Sequence, residues 1–167
     1  MGNKGEIYSF DLHESKLSLI ESGKERLGLD IINVDALDAT TPREELFGKA
    51  DRVICDAPCS GLGVLGKKPD LRYKDMASTR ELPALQLEIL TASSKYLKAG
   101  GTLVYSTCTL NPAENEDVVS AFLGEHTDFA LAPFSLGGLS AEDGMLTLLP
   151  HKHGTDGFFM AKLYKRT

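Results

Sequence analysis

The sequence predicts an α/β fold: a mainly parallel sheet flanked by helices, ending in a C-terminal antiparallel hairpin. Two observations carry this expectation. Short apolar, β-prone runs at Glu6–Phe10, Ile31–Val34, Arg52–Cys55 and Thr102–Ser106 alternate with helical patterns. Such alternation calls for right-handed crossovers between parallel strands. The first three of these runs each lead into an aspartate, Asp11, Asp35 and Asp56. In a sheet of this type the ligand sits beyond the carboxyl ends of the strands, so the spacing predicts three carboxylates on one rim.

Taken in order, Glu6–Phe10 is a short strand followed by a helical stretch from roughly His13 to Leu27. Ile31–Val34 and Arg52–Cys55 are the second and third strands. A long helical pattern runs from about Thr79 to Leu97, with Leu82, Leu85, Ile89, Leu90 and Leu97 near one face. Gly100-Gly101 is positioned to stop it. Thr102–Ser106 is then a buried strand and Pro112–Leu123 a helix, with Asn111 as its cap, Pro112 in its first turn and Glu114 at a capping position. Met145–Leu149, a turn around Gly154–Gly157, and Phe158–Tyr164 form the hairpin. No internal repeat, low-complexity stretch or linker divides residues 1–167, which read as one domain.

Each aspartate also has a purely structural explanation. Asp11 with Glu14 makes a capping box, Asp35 caps a short turn, and Asp56 is a turn residue before Pro58. Their recurrence after consecutive strands favours a polar ligand bearing hydroxyls and an amino group.

Composition bounds the function. The chain has 167 residues, 42% apolar and 25% charged, the balance of a soluble globular domain. No apolar run reaches the length of a membrane span, no apolar leader opens the chain, and Glu6 stands where a myristoylation signal requires Ser or Thr. No membrane partner and no metal are expected. The three cysteines, Cys55, Cys59 and Cys108, suit free thiols in a reducing cytoplasm rather than a disulfide framework. A net charge of −6 argues against a self-sufficient nucleic-acid binder. Locally, however, Lys67, Lys68, Arg72 and Lys74 cluster, and Lys162, Lys165 and Arg166 close the chain.

Two segments carry the chemistry. One is Asp56-Ala57-Pro58-Cys59-Ser60-Gly61-Leu62-Gly63. The other is Ser106-Thr107-Cys108-Thr109-Leu110-Asn111-Pro112-Ala113-Glu114-Asn115-Glu116, about fifty residues later. Both follow predicted strands, so both cysteines fall on the aspartate rim. Cys55, inside its strand, is a packing residue.

These segments resemble motifs IV and VI of the RNA cytosine-5 methyltransferases, in particular the Sun (Fmu) group that acts on small-subunit ribosomal RNA. Lys68-Pro69-Asp70-Leu71-Arg72-Tyr73 and the closing Asp156-Gly157-Phe158-Phe159-Met160-Ala161 are similar to further family segments, and the likeness covers nearly the whole chain. The resemblance implies a Rossmann-like, S-adenosylmethionine-dependent methyltransferase fold and methylation of cytosine C5 in RNA. A thiolate adds to C6, C5 becomes enamine-like and takes the methyl group, a base removes the C5 proton, and the cysteine leaves. By resemblance Cys108 is the nucleophile and Cys59 resolves the adduct. DNA cytosine methyltransferases use the cysteine of the first segment instead, but the TCT-NP-ENE flank belongs to the RNA branch. Asp11 corresponds to the residue that takes the ribose hydroxyls, Asp35 to the one near the adenine, and Asp56 to the head of motif IV. Pro58 corresponds to a residue shaping the target-base pocket. The base must leave its stack, which favours a single-stranded or distorted RNA site. Lys67, Lys68 and Arg72 are candidate phosphate contacts, or simply a solvated loop.

The chain departs from the family pattern at its start. No glycine-rich cofactor loop precedes Glu6. The expectation is a partial catalytic domain lacking the first strand, its loop and the N-terminal RNA-binding region, inactive alone. Competing readings are a non-catalytic Rossmann-like RNA-contact or assembly module, and a nicotinamide-dependent oxidoreductase, which leaves the paired cysteines unexplained. A cysteine hydrolase would need His13, His126, His151 or His153 as base, and none stands in a recognisable arrangement.

Overall fold

In the computed structural model the first strand, β1 (Ile7–Asp11), is followed by helix α1 (Glu14–Leu27) and strand β2 (Ile32–Ala36), which pairs with β1 in parallel. The structure describes residues 1–167, the side chain of Met76 excepted. It divides into two compact units, Met1–Pro42 and Arg43–Thr167. In the first, α1 ends at Gly28, whose φ of 61° is the left-handed conformation that glycine adopts freely. The Gly28 and Leu29 N–H groups return to the carbonyls of Glu25 and Lys24, a Schellman closure. At the other end Asp11 forms no capping box. The helix cap is His13, without a side-chain capping bond, and Asp11 Oδ1 accepts the His13 N–H at 2.9 Å. This Asx-type turn joins strand to helix.

The second unit contains β3 (Ala50–Asp56), α2 (Leu82–Ser94), β4 (Leu97–Thr107), α3 (Glu116–Glu125), β5 (Phe129–Leu131), β6 (Phe134–Leu136), β7 (Leu139–Ala141), β8 (Met145–Leu148), α4 (Pro150–His153) and β9 (Phe158–Lys165). Its main sheet runs β3-β4-β9-β5, with β8 also on β9. β3 and β4 are parallel, whereas β9 is antiparallel to β4, β5 and β8. The expected hairpin is β8–β9, but antiparallel pairing reaches further than predicted and the sheet is mixed. The extra strands β5, β6 and β7 have three residues each, too few to show a period in the sequence.

Two expected boundaries moved for identifiable reasons. The helix predicted to end at Gly100-Gly101 ends at Ser94, and Leu97 already belongs to β4. The glycines instead form a bulge: Ala50 pairs with Leu97 and Arg52 with Thr102, so several β4 residues oppose one step of β3. Gly100 has φ +78°, and a Cβ on Gly101 would meet Leu97 Cγ at 2.7 Å. The helix expected from Pro112 begins as a 3₁₀ turn, Pro112–Glu114, and α3 starts only at Glu116. The predicted cap is in place, Asn111 Oδ1 accepting Ala113 N–H at 3.2 Å.

The core lies in the second unit. Leu103 and Tyr105 of β4 alternate toward the same side as Phe159, Ala161 and Leu163 of β9, and all are fully buried with Leu90 of α2 and Phe122 of α3. The leucines and phenylalanines among them each contribute roughly 1.5–3 kcal/mol by burial.

Candidate active site

The two cysteine loops start side by side because β3 and β4 are parallel and in register, Asp56 opposite Ser106. Ser106 Oγ donates to Asp56 Oδ1 at 3.1 Å, and Ala57 N–H donates to the Ser106 carbonyl at 3.0 Å. Beyond this point the strands separate into loops, and Cys59 Sγ and Cys108 Sγ come to 3.2 Å. Cys55, one residue before Asp56, is buried in β3, where burial pushes its thiol up to about 12. The Cys59 thiol is also pushed up to about 12, first by burial and then by the adjacent Cys108. Either thiol can serve as the donor across the sulfur contact.

Three loops are stitched together around this pair. Gly63 N–H donates to the Cys108 carbonyl at 2.9 Å, and Gly157 N–H to the Gly63 carbonyl at 2.8 Å. A Cβ on Gly63 would lie 2.0 Å from the Gly157 oxygen, so only glycine allows the approach. Ser60 Oγ and Thr109 Oγ1 share a hydrogen bond of 2.8 Å. Beneath them lie Glu114 and Gln86, both fully buried. Glu114 accepts from Ser60 N–H, Gln86 Nε2 and Asn111 Nδ2. Burial alone would raise its carboxyl, but these donors outweigh burial and hold it below the ordinary carboxylate range. Gln86 Nε2 also donates to the Pro58 carbonyl at 2.8 Å, while the Pro58 ring is exposed.

Gln86 is absent from the sequence-level candidates, and Glu114 figures there only as a capping residue. The signal for Gln86 was its position three and four residues before Ile89 and Leu90, on the buried face of α2. Local chemistry marks Glu114 only as a cap beside Asn111, because its other partners Ser60 and Gln86 are distant in sequence. Lys67, Lys68 and Arg72 are all exposed, and Lys67 forms an ion pair with Asp156. Arg72 lies in a 3₁₀ helix, Pro69–Tyr73, whose Leu71 sits over Gly61, at 3.1 Å from where a Cβ there would be.

In the first unit, register places Phe10 opposite Asp35 and Asp11 opposite Ala36, so both carboxylates stand at the same end of the β1–β2 pair. Asp11 is held below the ordinary range, mainly by the His13 N–H, and Lys16 lies 3.3 Å from its Oδ2. Asp35 Oδ1 accepts the Ala36 N–H at 2.8 Å. An ionised carboxylate oxygen accepts more than one hydrogen bond, so Asp11 retains acceptor capacity suited to a vicinal diol.

Comparison with known proteins shows the family. Residues 1–164 match the family described as 16S rRNA methyltransferase RsmB/F. The chain belongs to this family. It is 42% identical to a probable ribosomal RNA small subunit methyltransferase B of Bacillus subtilis over 180 residues, covering 99% of the chain and 39% of the relative. With the corresponding Synechocystis protein the identity is 44% over 172 residues, again covering 99% of the chain and 39% of the relative. The chain thus spans about two-fifths of the length of these curated relatives. The solved structure of NSun6 from Pyrococcus horikoshii is 35% identical, with a TM-score of 0.83 over 99% of the chain and 42% of that structure. The fold is the Rossmann-like one of S-adenosylmethionine-dependent methyltransferases.

Proposed function

We propose that this chain carries the reacting groups for S-adenosylmethionine-dependent methylation of cytosine C5 in small-subunit ribosomal RNA, as part of a catalytic domain spanning residues 1–167. The observation that carries the reading is the pair of thiols 3.2 Å apart in loops that leave adjacent parallel strands. A single thiol serves many chemistries. Two in contact suit a cycle in which a cysteine adds to a base and must later be expelled.

In this proposal Cys108 adds through sulfur to C6 of the cytosine, and the C5–C6 π electrons move to C5. S-adenosylmethionine, when bound, would supply the methyl group to that carbon as an electrophile and leave as its demethylated thioether. A base then takes the C5 proton, the C5–C6 double bond re-forms, and the Cys108–C6 bond breaks. Cys59, protonated beside Cys108, assists this elimination. Asp11 and Asp35 accept hydrogen bonds from the ribose hydroxyls and the adenine end of the cofactor. By the family resemblance Asp56, tied to Ser106, is assigned to the reacting end of the site, and Pro58 to the base pocket. Lys68 and Arg72, and Lys67 when released from Asp156, contact phosphates of a single-stranded or distorted RNA site.

The test uses small-subunit ribosomal RNA, S-adenosylmethionine and three forms of the protein, with the trapped protein–RNA complex as the readout should the parent chain methylate too slowly to measure. Cys108→Ala is expected to lose methylation by on the order of a thousandfold or more. Cys59→Ser is expected to accumulate a protein–RNA complex that survives denaturing electrophoresis. Methylation unaffected by Cys108→Ala would instead mark the chain as a non-catalytic RNA-contact or assembly module. A trapped complex through Cys59 would exchange the two roles.

A further inference from the structure

Both cysteine loops are held by one buried carboxylate. Glu114 is 0% exposed; its Oε2 accepts Ser60 N–H at 2.8 Å and Gln86 Nε2 at 3.1 Å, and its Oε1 accepts Asn111 Nδ2 at 2.9 Å. Ser60 follows Cys59 directly, and Asn111 lies three residues beyond Cys108. Gln86 donates its other hydrogen to the carbonyl of Pro58, the residue before Cys59. The Cys59 peptide is therefore fixed on both sides from below. The Glu114 carbonyl is fixed as well, accepting the Tyr105 hydroxyl at 2.7 Å.

Space filling does not explain this arrangement. A buried carboxylate is costly unless donors surround it, and an apolar side chain fills the same volume without that cost. Gln86 departs further from a stability optimum. With both Nε2 hydrogens committed to Pro58 and Glu114, its buried Oε1 is left without a donor. Polar groups tolerated in this way require another reason, and here the common feature is the geometry of the cysteine loops.

We propose that Glu114, supported by Gln86, is the positioning residue that sets the separation of the Cys59 and Cys108 thiols. It acts through Ser60 and Asn111. Its catalytic consequence rests on the methyltransferase reading above, but the positioning itself does not.

The experiment measures alkylation of the full chain by iodoacetamide, with the three cysteine peptides resolved by mass spectrometry. Cys55, buried in β3, reports unfolding, whereas Cys59 and Cys108 report loop geometry. In Glu114→Ala the Cys59 rate is expected to rise on the order of tenfold or more, the equivalent of one lost charge-assisted hydrogen bond, while Cys55 stays protected. Glu114→Gln keeps two of the three acceptor contacts and is expected to return the rate to within about threefold of the parent. Phe122→Leu, a core change away from the loops, should lower thermal stability without altering the ratio of Cys59 to Cys108 alkylation. Should Glu114→Ala fail to fold, Gln86→Met decides by the same readout, with a smaller rise at Cys59. Unchanged rates at both loop thiols would overturn the proposal. So would all three thiols rising together, or a glutamine variant no better than alanine. No RNA or methyl donor enters the measurement, so failure of the methylation reading and failure of the positioning role are separately visible.

Discussion

Glu114 and Cys55 are perturbed in opposite senses and should contribute at opposite ends of the pH–stability curve. The Glu114 carboxyl is held below its ordinary value of 4.5 because the donors from Ser60, Asn111 and Gln86 outweigh burial. A depressed folded pKa contributes stability above the unfolded value, lost as pH falls through the folded one. The urea midpoint of the parent protein should therefore drop below pH 4.5, and Glu114→Gln should flatten that acid limb. For Cys55 the sign reverses. Burial raises its thiol from 9.0 to about 12, so its stabilisation is complete below 9 and lost as pH climbs through that window. Cys55→Val, which removes the group without emptying the site, should reduce the alkaline loss of stability between those limits. An unchanged alkaline limb would mean that the thiol is not desolvated as its burial implies.

At the scale of elements, two glycines of identical composition should respond oppositely to one methyl group. Gly63→Ala would place a Cβ 2.0 Å from the Gly157 carbonyl and 2.7 Å from that of Cys108, both backbone atoms with little room to move. A loss of about 2–3 kcal/mol, with increased thiol reactivity at Cys59, is expected by chemical denaturation and alkylation. Gly23, inside α1, has nothing within 4 Å of its would-be Cβ, and Gly23→Ala should gain about 0.5–1 kcal/mol for the first unit. Such contrasts show what the sequence can and cannot disclose. Alternation of strands and helices was enough to place Cys59 and Cys108 after β3 and β4, because parallel neighbours must release their loops at the same edge. Asn111 declared its capping role through purely local chemistry. Gly100-Gly101 did not, since the same pair serves equally a helix stop and a strand bulge, and the choice was made by pairing with β3. Glu114 was visible only as a cap because its donors Ser60 and Gln86 come from other elements.

Across the whole molecule, apolar burial is unevenly divided. Among the described residues every buried apolar side chain of the core lies between Cys55 and Leu163, and α1 has no buried residue at all. A two-stranded pair with one helix is marginal on its own contacts. Amides of β1, α1 and β2 should therefore exchange with solvent far faster than those of β4 and β9, measured by hydrogen exchange on the same sample. This imbalance makes the first unit a sensitive reporter of cofactor. If Asp11 and Asp35 hold S-adenosylmethionine, ligand at a hundred times its dissociation constant stabilises the binding-competent form by about 2.7 kcal/mol, slowing exchange roughly a hundredfold where opening releases ligand. Protection should appear at the Asp11 and Asp35 ends of β1 and β2, and Asp11→Asn should weaken it with the protein otherwise folded. Protection confined to the second unit would remove Asp11 and Asp35 from the cofactor site while leaving the cysteine chemistry untouched. Exchange unaffected anywhere by S-adenosylmethionine, yet slowed by a nicotinamide dinucleotide, would contradict the cofactor assignment itself.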